Sequence, residues 1–333
     1  MQAPAPGESA LTRGLLQARV LGAGAIAYAG VIGVALSPWP QLIGLASLGV
    51  NPVWSALGAR PRRVLMMIVV LALGSAGATA TAFTGRWQPL LGVLLVCALA
   101  VYSTRLVDVG IHQAGAFVLM LTAYVMLDPG HIVAHLGATM PRWQLLVVMG
   151  LVPAGCASWA AVSALVLTGG RLPRPRPAVQ DLPYGLLLGA ICSALLVLCL
   201  LFLPGTQAWW TILTVVCILR PSRAETRTRE RYRVYGTLLG GAAAAVIGWL
   251  VPYQPVWIAL GMVAILMGTI VNLDGGAYWK WSTMITFAVV LLTFSPHTVL
   301  GGDVVRVGAT LIATAVTVSV ILLLDRWSAH RAG

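Results

Sequence analysis

Long apolar runs separated by short polar gaps make up most of this chain. A helix needs about 20 mainly apolar residues to cross the hydrocarbon core of a bilayer. The pattern therefore predicts about twelve membrane-spanning helices and an all-α polytopic membrane protein without a large soluble domain. The predicted segments are 17–36, 41–58, 63–83, 89–104, 110–128, 142–168, 183–203, 207–219, 231–251, 255–272, 279–295 and 302–324.

Composition supports this class, since 59% of the 333 residues are hydrophobic and only 9% are charged, with a mean hydropathy of +0.90. Soluble domains carry about 25% charged residues. The sequence pI near 10.3 would suit nucleic acid binding. However, the basic residues lie in short gaps between apolar runs, where membrane topology explains them, so no nucleic acid partner is expected.

The distribution of Lys and Arg predicts the orientation of the chain. With the N-terminus in the cytoplasm, 18 of the 21 basic residues fall in cytoplasmic segments, which leaves Arg86, Arg142 and Arg306 outside. This asymmetry follows the positive-inside rule. The N-terminus has no signal-peptide pattern, so the first apolar run is expected to stay as a helix. An Ala-, Arg- and Gly-rich composition points to a bacterial plasma (inner) membrane, with both termini cytoplasmic.

The two halves of the sequence match at an offset of 166 residues. Arg63 pairs with Arg229, Gly74 with Gly240 and Gln88 with Gln254, and the rare residues Asp108 and His131 pair with Asp274 and His297. Six helices in each half would give parallel repeats, and such transporters bind substrate at the repeat interface. We predict a first repeat at 1–170, a basic, proline-rich cytoplasmic linker at 171–182, and a second repeat at 183–333.

The most charged stretch is RPSRAETRTRERYRVYGTLLGG, residues 220–241. Pro221 ends the preceding segment, and Ser222 with Glu225 fits a capping box, so a helix should begin at 222 and continue to about 251. Arginine is unfavourable beside the positive end of a helix dipole, so this start should attract anions. The arginines of this helix are Arg223, Arg227, Arg229, Arg231 and Arg233.

Two functions for these arginines stay open at this point. They could anchor the helix and bind anionic membrane lipids, or they could form a cytoplasmic vestibule that concentrates an anionic substrate. Behind them, Gly236 and Gly240 form a face of small residues, with Thr237 beside it, that predicts close helix packing. A glycine facing a permeation path is the alternative.

Aromatic and hydroxyl side chains on 207–219 are further candidates for substrate binding. This segment and 41–58 are short, end at or contain proline, and occupy corresponding places in the two halves, which is a pointer to a transporter site. Trp210 and Thr214 could contact an aromatic anion, although tryptophans also form interfacial belts. Lys280 could meet substrate or extend to the membrane interface.

Asp108, Asp274 and His112 are the candidates for proton coupling, because acids near the membrane are costly and often functional. The alternative is a solvated loop aspartate that caps the next helix. We find no motif for an enzyme, a metal, a nucleotide or another cofactor, and the five cysteines lack metal-type spacing. Active transport would then need an ion gradient.

The stretch WWTILTVVCILRPSRAETRTRERYRVYGTLLGG resembles the fusaric acid resistance and aromatic acid exporter superfamily, to which the aluminium-activated malate transporters are distantly related. The resemblance rests on Trp210, Thr211 and Thr214, then Pro221, then Arg233-x-x-Gly-Thr-x-x-Gly240, and a related pattern runs from Arg306 to Thr310. The first half keeps the layout with a degraded motif. The resemblance implies efflux of aromatic or other organic anions, including drugs.

Three hypotheses follow from these observations. The first is a secondary, proton-coupled exporter of organic anions, and the second is a passive organic-anion channel. The third is a membrane scaffold or lipid-binding protein that transports nothing. The expected partners are a small organic anion and anionic lipids, and a homo-oligomer is left open.

Overall fold

A computed structural model describes residues 10–127, 136–137, 139–170, 172, 174–203, 208–251, 253–273, 276–293 and 299–332. Its regular structure over these ranges is helical, with twelve helices of ten or more residues. They are α1 (Ala10–Ala35), α2 (Ile43–Ser55), α3 (Pro61–Ala82), α4 (Gln88–Arg105), α5 (His112–Leu127), α6 (Arg142–Thr168), α7 (Tyr184–Phe202), α8 (Trp209–Ile218), α9 (Arg223–Leu250), α10 (Gln254–Leu273), α11 (Tyr278–Thr293) and α12 (Val299–Ala332).

Each predicted segment overlaps one of these helices, but the count of twelve membrane spans is not confirmed. Eight helices in the described ranges are long and apolar enough to cross a membrane. The shorter helices α2, α5, α8 and α11 have 10 to 16 residues. At 1.5 Å per residue, the ten residues of α8 reach about 15 Å, half of a hydrocarbon core about 30 Å thick.

The chain forms two compact units, and the N-terminal unit runs from Ala18 to Val216. Inside it, α6 packs on α2 and α3, α5 packs on α2, α3 and α4, and α7 packs on α4. Small residues permit these approaches. A Cβ on Gly49 of α2 would lie 2.6 Å from the carbonyl oxygen of Pro153 in α6, and a Cβ on Gly185 of α7 would meet the Thr104 hydroxyl of α4.

The C-terminal unit consists of the described residues from Cys217 onward, together with those up to Gln17. Helix α11 packs on both α9 and α10, and α9 also packs on α12. Trp257 is fully buried in this unit beside Ala244 and Leu291, and its indole N–H donates to the carbonyl oxygen of Val251 at 2.6 Å. The bond fixes the start of α10 to the end of α9.

Helix positions in the two halves agree with the offset of 166 residues. Helices α2, α4 and α5 begin 166 residues before α8, α10 and α11. Packing recurs as well, because α5 contacts α3 and α4 as α11 contacts α9 and α10, and α3 contacts α6 as α9 contacts α12. This agreement supports the two-repeat arrangement, which stays a prediction.

The compact units divide after Val216, whereas the predicted repeat boundary lies at the linker 171–182. The physical reason is that α7 packs on α4 and so belongs to the N-terminal unit. Part of the linker is also held in place, since the Ala178 N–H donates to the Val107 carbonyl at 3.2 Å. At Gly110, φ is +73°, and a Cβ would strike the Arg176 backbone, so glycine is needed at this contact.

Candidate functional site

Helix α9 begins and ends close to the predicted positions, but its N-terminus is held in a different way. Ser222 is the N-cap residue, yet its side chain makes no capping hydrogen bond. The Glu225 carboxylate lies 3.4 Å from the Arg220 Nε and 2.9 Å from the Arg229 guanidinium. The reciprocal bonds of the predicted capping box are therefore absent, because these two cations hold the glutamate.

The arginines of 220–233 differ in burial and in what they contact. Arg220 is buried and donates to the Leu219 carbonyl at 3.0 Å, while its backbone N–H donates to the Thr226 hydroxyl. Arg227 and Arg231 are exposed and Arg233 is buried. The basic segment thus combines cations that fix the turn before α9, cations that face outward, and one cation inside the unit.

An aromatic pair at the start of α11 lies beside this turn. The Arg229 guanidinium is 4.7 Å from the centroid of the Tyr278 ring, and Tyr278 stacks on Trp281 at 5.3 Å. The Tyr278 hydroxyl is 3.4 Å from the Cys217 carbonyl oxygen. The contacts link the basic end of α9 to the start of α11, and cation–π attraction contributes to them.

Helices α9 and α11 approach each other closely along the predicted small-residue face. A Cβ on Gly236 would meet the Ser282 side chain, and a Cβ on Gly240 would lie 2.5 Å from the Thr283 carbonyl oxygen and 2.9 Å from the Phe287 nitrogen. The packing face therefore lies against the α11 backbone. Thr237 is buried in the same region.

Arg233 lies within this helix contact. Its side chain is 2% exposed, and one Nη is 3.5 Å from the Ser282 hydroxyl oxygen. Its Nε has no hydrogen-bond partner among the described residues. A buried cation is costly unless other groups compensate its charge. The guanidinium is thus a buried donor that a negatively charged ligand could satisfy.

A second buried arginine contacts α11 one helical turn further along. Arg306 of α12 is 1% exposed, and one Nη donates to the Thr286 carbonyl at 3.2 Å. Ser282 and Thr286 are separated by about 6 Å of helix rise. The i, i+3 spacing of Asp303 and Arg306 predicts a local ion pair at the outer helix end, but the Asp303 side chain lies outside the described part of the structure.

Hydroxyl side chains accompany the two buried arginines on α9, α11 and α12. Thr237 follows Arg233 by four residues, as Thr310 follows Arg306, and both threonines border one small void between α9 and α12. The hydroxyls of Thr237 and Thr286 make no hydrogen bond to any residue that the structure describes. The arginine–hydroxyl seam, as we name it, consists of Arg233, Thr237, Ser282, Thr286, Arg306 and Thr310.

The seam has the chemistry of an anion site. Guanidinium groups present planar N–H donors that match carboxylates, and hydroxyls can turn their hydrogen toward an oxyanion. Burial strengthens both interactions, because the surroundings screen charge less than water does. Such donors inside helices that can cross a membrane are expensive and commonly functional.

Glu230 is a buried carboxylate that the sequence pattern did not single out. It is 7% exposed, lies one turn before Arg233 on α9, and its Oε1 has no hydrogen-bond partner among the described residues. In sequence it looks like one acid in an exposed ionic helix. Glu230 lies seven residues, or about two helical turns, before Thr237. Helix periodicity therefore puts both residues on the same buried face of α9, and this is the signal in the sequence.

Trp210 and Thr214 lie in the N-terminal unit and are both buried. Trp210 stacks on Trp209 at 3.8 Å between ring centroids, and Tyr124 meets Trp209 edge-on at 5.0 Å. The Thr214 hydroxyl donates to the Trp210 carbonyl at 2.8 Å. These tryptophans form a buried aromatic cluster, and a role in substrate binding stays a prediction.

The remaining predicted site residues are dispersed. Asp108 is exposed in the turn after α4, whereas His112 is buried at the start of α5 with its ring 5.5 Å from that of Tyr184. Asp274 lies outside the described residues. Lys280 is exposed, with its Nζ 5.8 Å from the Trp279 ring centroid. The described ranges contain no cluster of three or more metal-ligating side chains.

Several long apolar helices and a buried cationic seam define a multi-pass membrane protein of a transport-related class. Residues 197–320, in the second half of the chain, match the family described as fusaric acid resistance protein-like. The match confirms the resemblance seen in the sequence, and it contains every residue of the seam. No curated protein and no solved structure matches the chain.

Proposed function

We propose that this protein is a secondary exporter of organic, aromatic anions, coupled to protons, in a bacterial plasma membrane with both termini in the cytoplasm. The observation that carries the proposal is the burial of Arg233 within the contact between α9 and α11, with Nε unsatisfied by any described residue. The family match, whose name refers to resistance to an organic acid, supports the same substrate class.

The geometry favours an anion with a compact acidic group. The void beside Thr237 and Thr310 has no room for a water molecule, so a carboxylate would enter the seam only when α9 and α12 separate. It could then accept from the Arg233 Nε and from the Thr237 hydroxyl, which lack partners among the described residues. Charge-assisted hydrogen bonds of this kind are about twice as strong as neutral ones. The Tyr278–Trp281 pair beside Arg229 would offer ring faces to an aromatic substrate at the basic end of the unit.

Uptake into inside-out vesicles tests the transport proposal. We expect a labelled aromatic carboxylate to accumulate when a pH gradient is imposed, because no nucleotide-binding motif offers another energy source. The variant Asp108→Asn/Asp274→Asn should reduce accumulation to simple equilibration, while Asp181→Asn, at another exposed acid, should behave as wild type. Equilibration in the wild type with or without the gradient would indicate a channel, and no movement of several such acids would indicate a scaffold.

Glu230 should set the pH dependence of anion binding in the seam. Its deprotonation adds negative charge one turn from Arg233, so anion affinity should fall as the pH rises through its titration. Glu230→Gln should raise affinity severalfold at high pH, since two charges about 6 Å apart interact appreciably even when the effective dielectric constant is near 20.

The measurement is substrate binding to purified protein between pH 5 and pH 9. Glu225→Gln is the control, because the Glu225 side chain is 43% exposed and pairs with Arg220 and Arg229 away from the seam. If Glu230→Gln has the same pH profile of binding as wild type, Glu230 does not influence anion binding in the seam.

A further inference from the structure

A large apolar cavity lies in the N-terminal unit, whereas the arginine–hydroxyl seam belongs to the C-terminal unit. It has a volume of about 480 Å³ and is formed by the turn between α2 and α3 and by the second half of α6. This size is within the range of ligand-binding pockets. Val53, Ile68 and Ala164 form part of its wall and are buried. Nothing in the proposed transport mechanism uses this cavity.

The cavity opens between two helices that are long enough to cross a membrane. Leu65 of α3 and Leu165 of α6 line it and are 62% and 56% exposed, and the neighbouring Val162 is 53% exposed. Exposed apolar side chains on a membrane-spanning helix face lipid tails. The opening is therefore accessible to an acyl chain from the bilayer.

The polar end of the cavity is positively charged. Arg60 and Arg174 line it and are exposed, while no acidic residue belongs to its described lining. Arg60 is the N-cap residue of α3, whose first turn has no acidic residue and no side-chain cap. The positive end of the α3 dipole is thus not neutralised locally. A phosphate group at this end would meet two guanidinium groups and the dipole together.

We propose that this cavity binds an acidic phospholipid of the surrounding membrane, with an acyl chain in the apolar part and the phosphate between Arg60 and Arg174. The occupant must combine a long apolar chain with negative charge, because the cavity joins an opening toward lipid to a cationic end. Juxtamembrane arginines each favour anionic lipid by about fivefold in affinity. The site is independent of substrate transport.

Photocrosslinking of purified full-length protein tests the proposal. The probe is phosphatidylglycerol with a photoreactive acyl chain, competed by unlabelled phosphatidylglycerol or by phosphatidylcholine with the same chains. We expect adducts in peptides of α3 and α6, displaced at least about fivefold better by phosphatidylglycerol. Equal displacement by the two lipids, or displacement by inorganic phosphate alone, would overturn the proposal.

Two variants separate the headgroup contribution from the acyl-chain contribution. Arg60→Gln/Arg174→Gln should lose the preference for the acidic lipid, and Ala161→Phe should lose the adducts by filling the cavity. Arg86→Gln/Arg105→Gln neutralises two exposed arginines that do not line the cavity, so it should match wild type. Adducts that persist in Ala161→Phe would contradict a lipid in this cavity.

Discussion

Arg233→Gln is expected to lower transport of an organic anion by about tenfold to a hundredfold at low substrate concentration. The wild-type guanidinium is buried beside Ser282 and offers an N–H that no described residue accepts. A hydrogen bond to a charged group contributes about 1.5–3 kcal/mol, and each 1.4 kcal/mol corresponds to a factor of ten in affinity. Initial rates of uptake into vesicles, normalised to the amount of transporter, would measure the loss.

Stability and a neighbouring arginine provide the controls for Arg233. Removing an incompletely compensated buried charge should leave the unfolding temperature unchanged or raise it, so lost transport would not reflect lost protein. Arg231→Gln changes an exposed arginine two residues away and should cost much less. Equal losses in the two variants would favour a diffuse electrostatic vestibule, and full transport by Arg233→Gln would exclude the seam as the substrate site.

Arg233→Lys tests the geometry of the site separately from its charge. Lysine keeps one positive charge but replaces the planar fork of donors by a single ammonium group. We expect it to recover only part of the transport lost in Arg233→Gln. Complete recovery would mean that charge alone matters at this position.

The helices could be predicted from the sequence because nearby residues in the chain determine where each helix begins and ends. Apolar runs here end at proline, glycine or clustered arginine, as at Pro221 before α9. These residues end a run regardless of the tertiary packing around it. What could not be predicted is which helices are long enough to span a membrane. The run that contains α8 is as apolar as the runs that form longer helices. Only the structure shows that the helix in it has ten residues.

The seam could be predicted only in part, for a different physical reason. Arg233 stood out because it belongs to a dense basic segment and a recognisable motif. Ser282 and Thr286 did not, because a hydroxyl in an apolar helix commonly bonds to its own backbone, as Thr283 does with the Trp279 carbonyl at 2.9 Å. Only the approach of α9 and α12 to α11 distinguishes a hydroxyl in the seam from one outside it.

Arg306 is a charged residue whose burial the hydropathy pattern does not indicate. Its position near the start of the last predicted span, three residues after Asp303, indicates a helix end and a local ion pair, which stays a prediction. The structure buries it against Thr286. The sequence did contain a signal, since Arg306 and Thr310 repeat the four-residue spacing of Arg233 and Thr237.

Gly240→Ala is expected to destabilise the C-terminal unit by about 1–3 kcal/mol, the usual cost of overpacking a tight contact. The new Cβ would lie 2.5 Å from the Thr283 carbonyl oxygen and 2.8 Å from the Thr286 Cβ. Backbone atoms cannot move aside as a flexible side chain can, so α9 and α11 must separate. The unfolding temperature of purified protein should fall by several degrees. Transport should fall as well, because the separation would move Arg233 away from Ser282.

Gly308→Ala is the matched control and should change stability in the opposite direction. Gly308 lies in α12 of the same unit, and a Cβ there would meet nothing within 4 Å. Alanine in a helix is favoured over glycine by about 0.5–1 kcal/mol, so this variant should be as stable as wild type or more so. If both variants lowered the unfolding temperature equally, the loss would reflect a general effect of substituting glycine. Opposite signs would show that the stability of the unit, and the alignment of Arg233 and Arg306, depend on the close approach of α9 and α11.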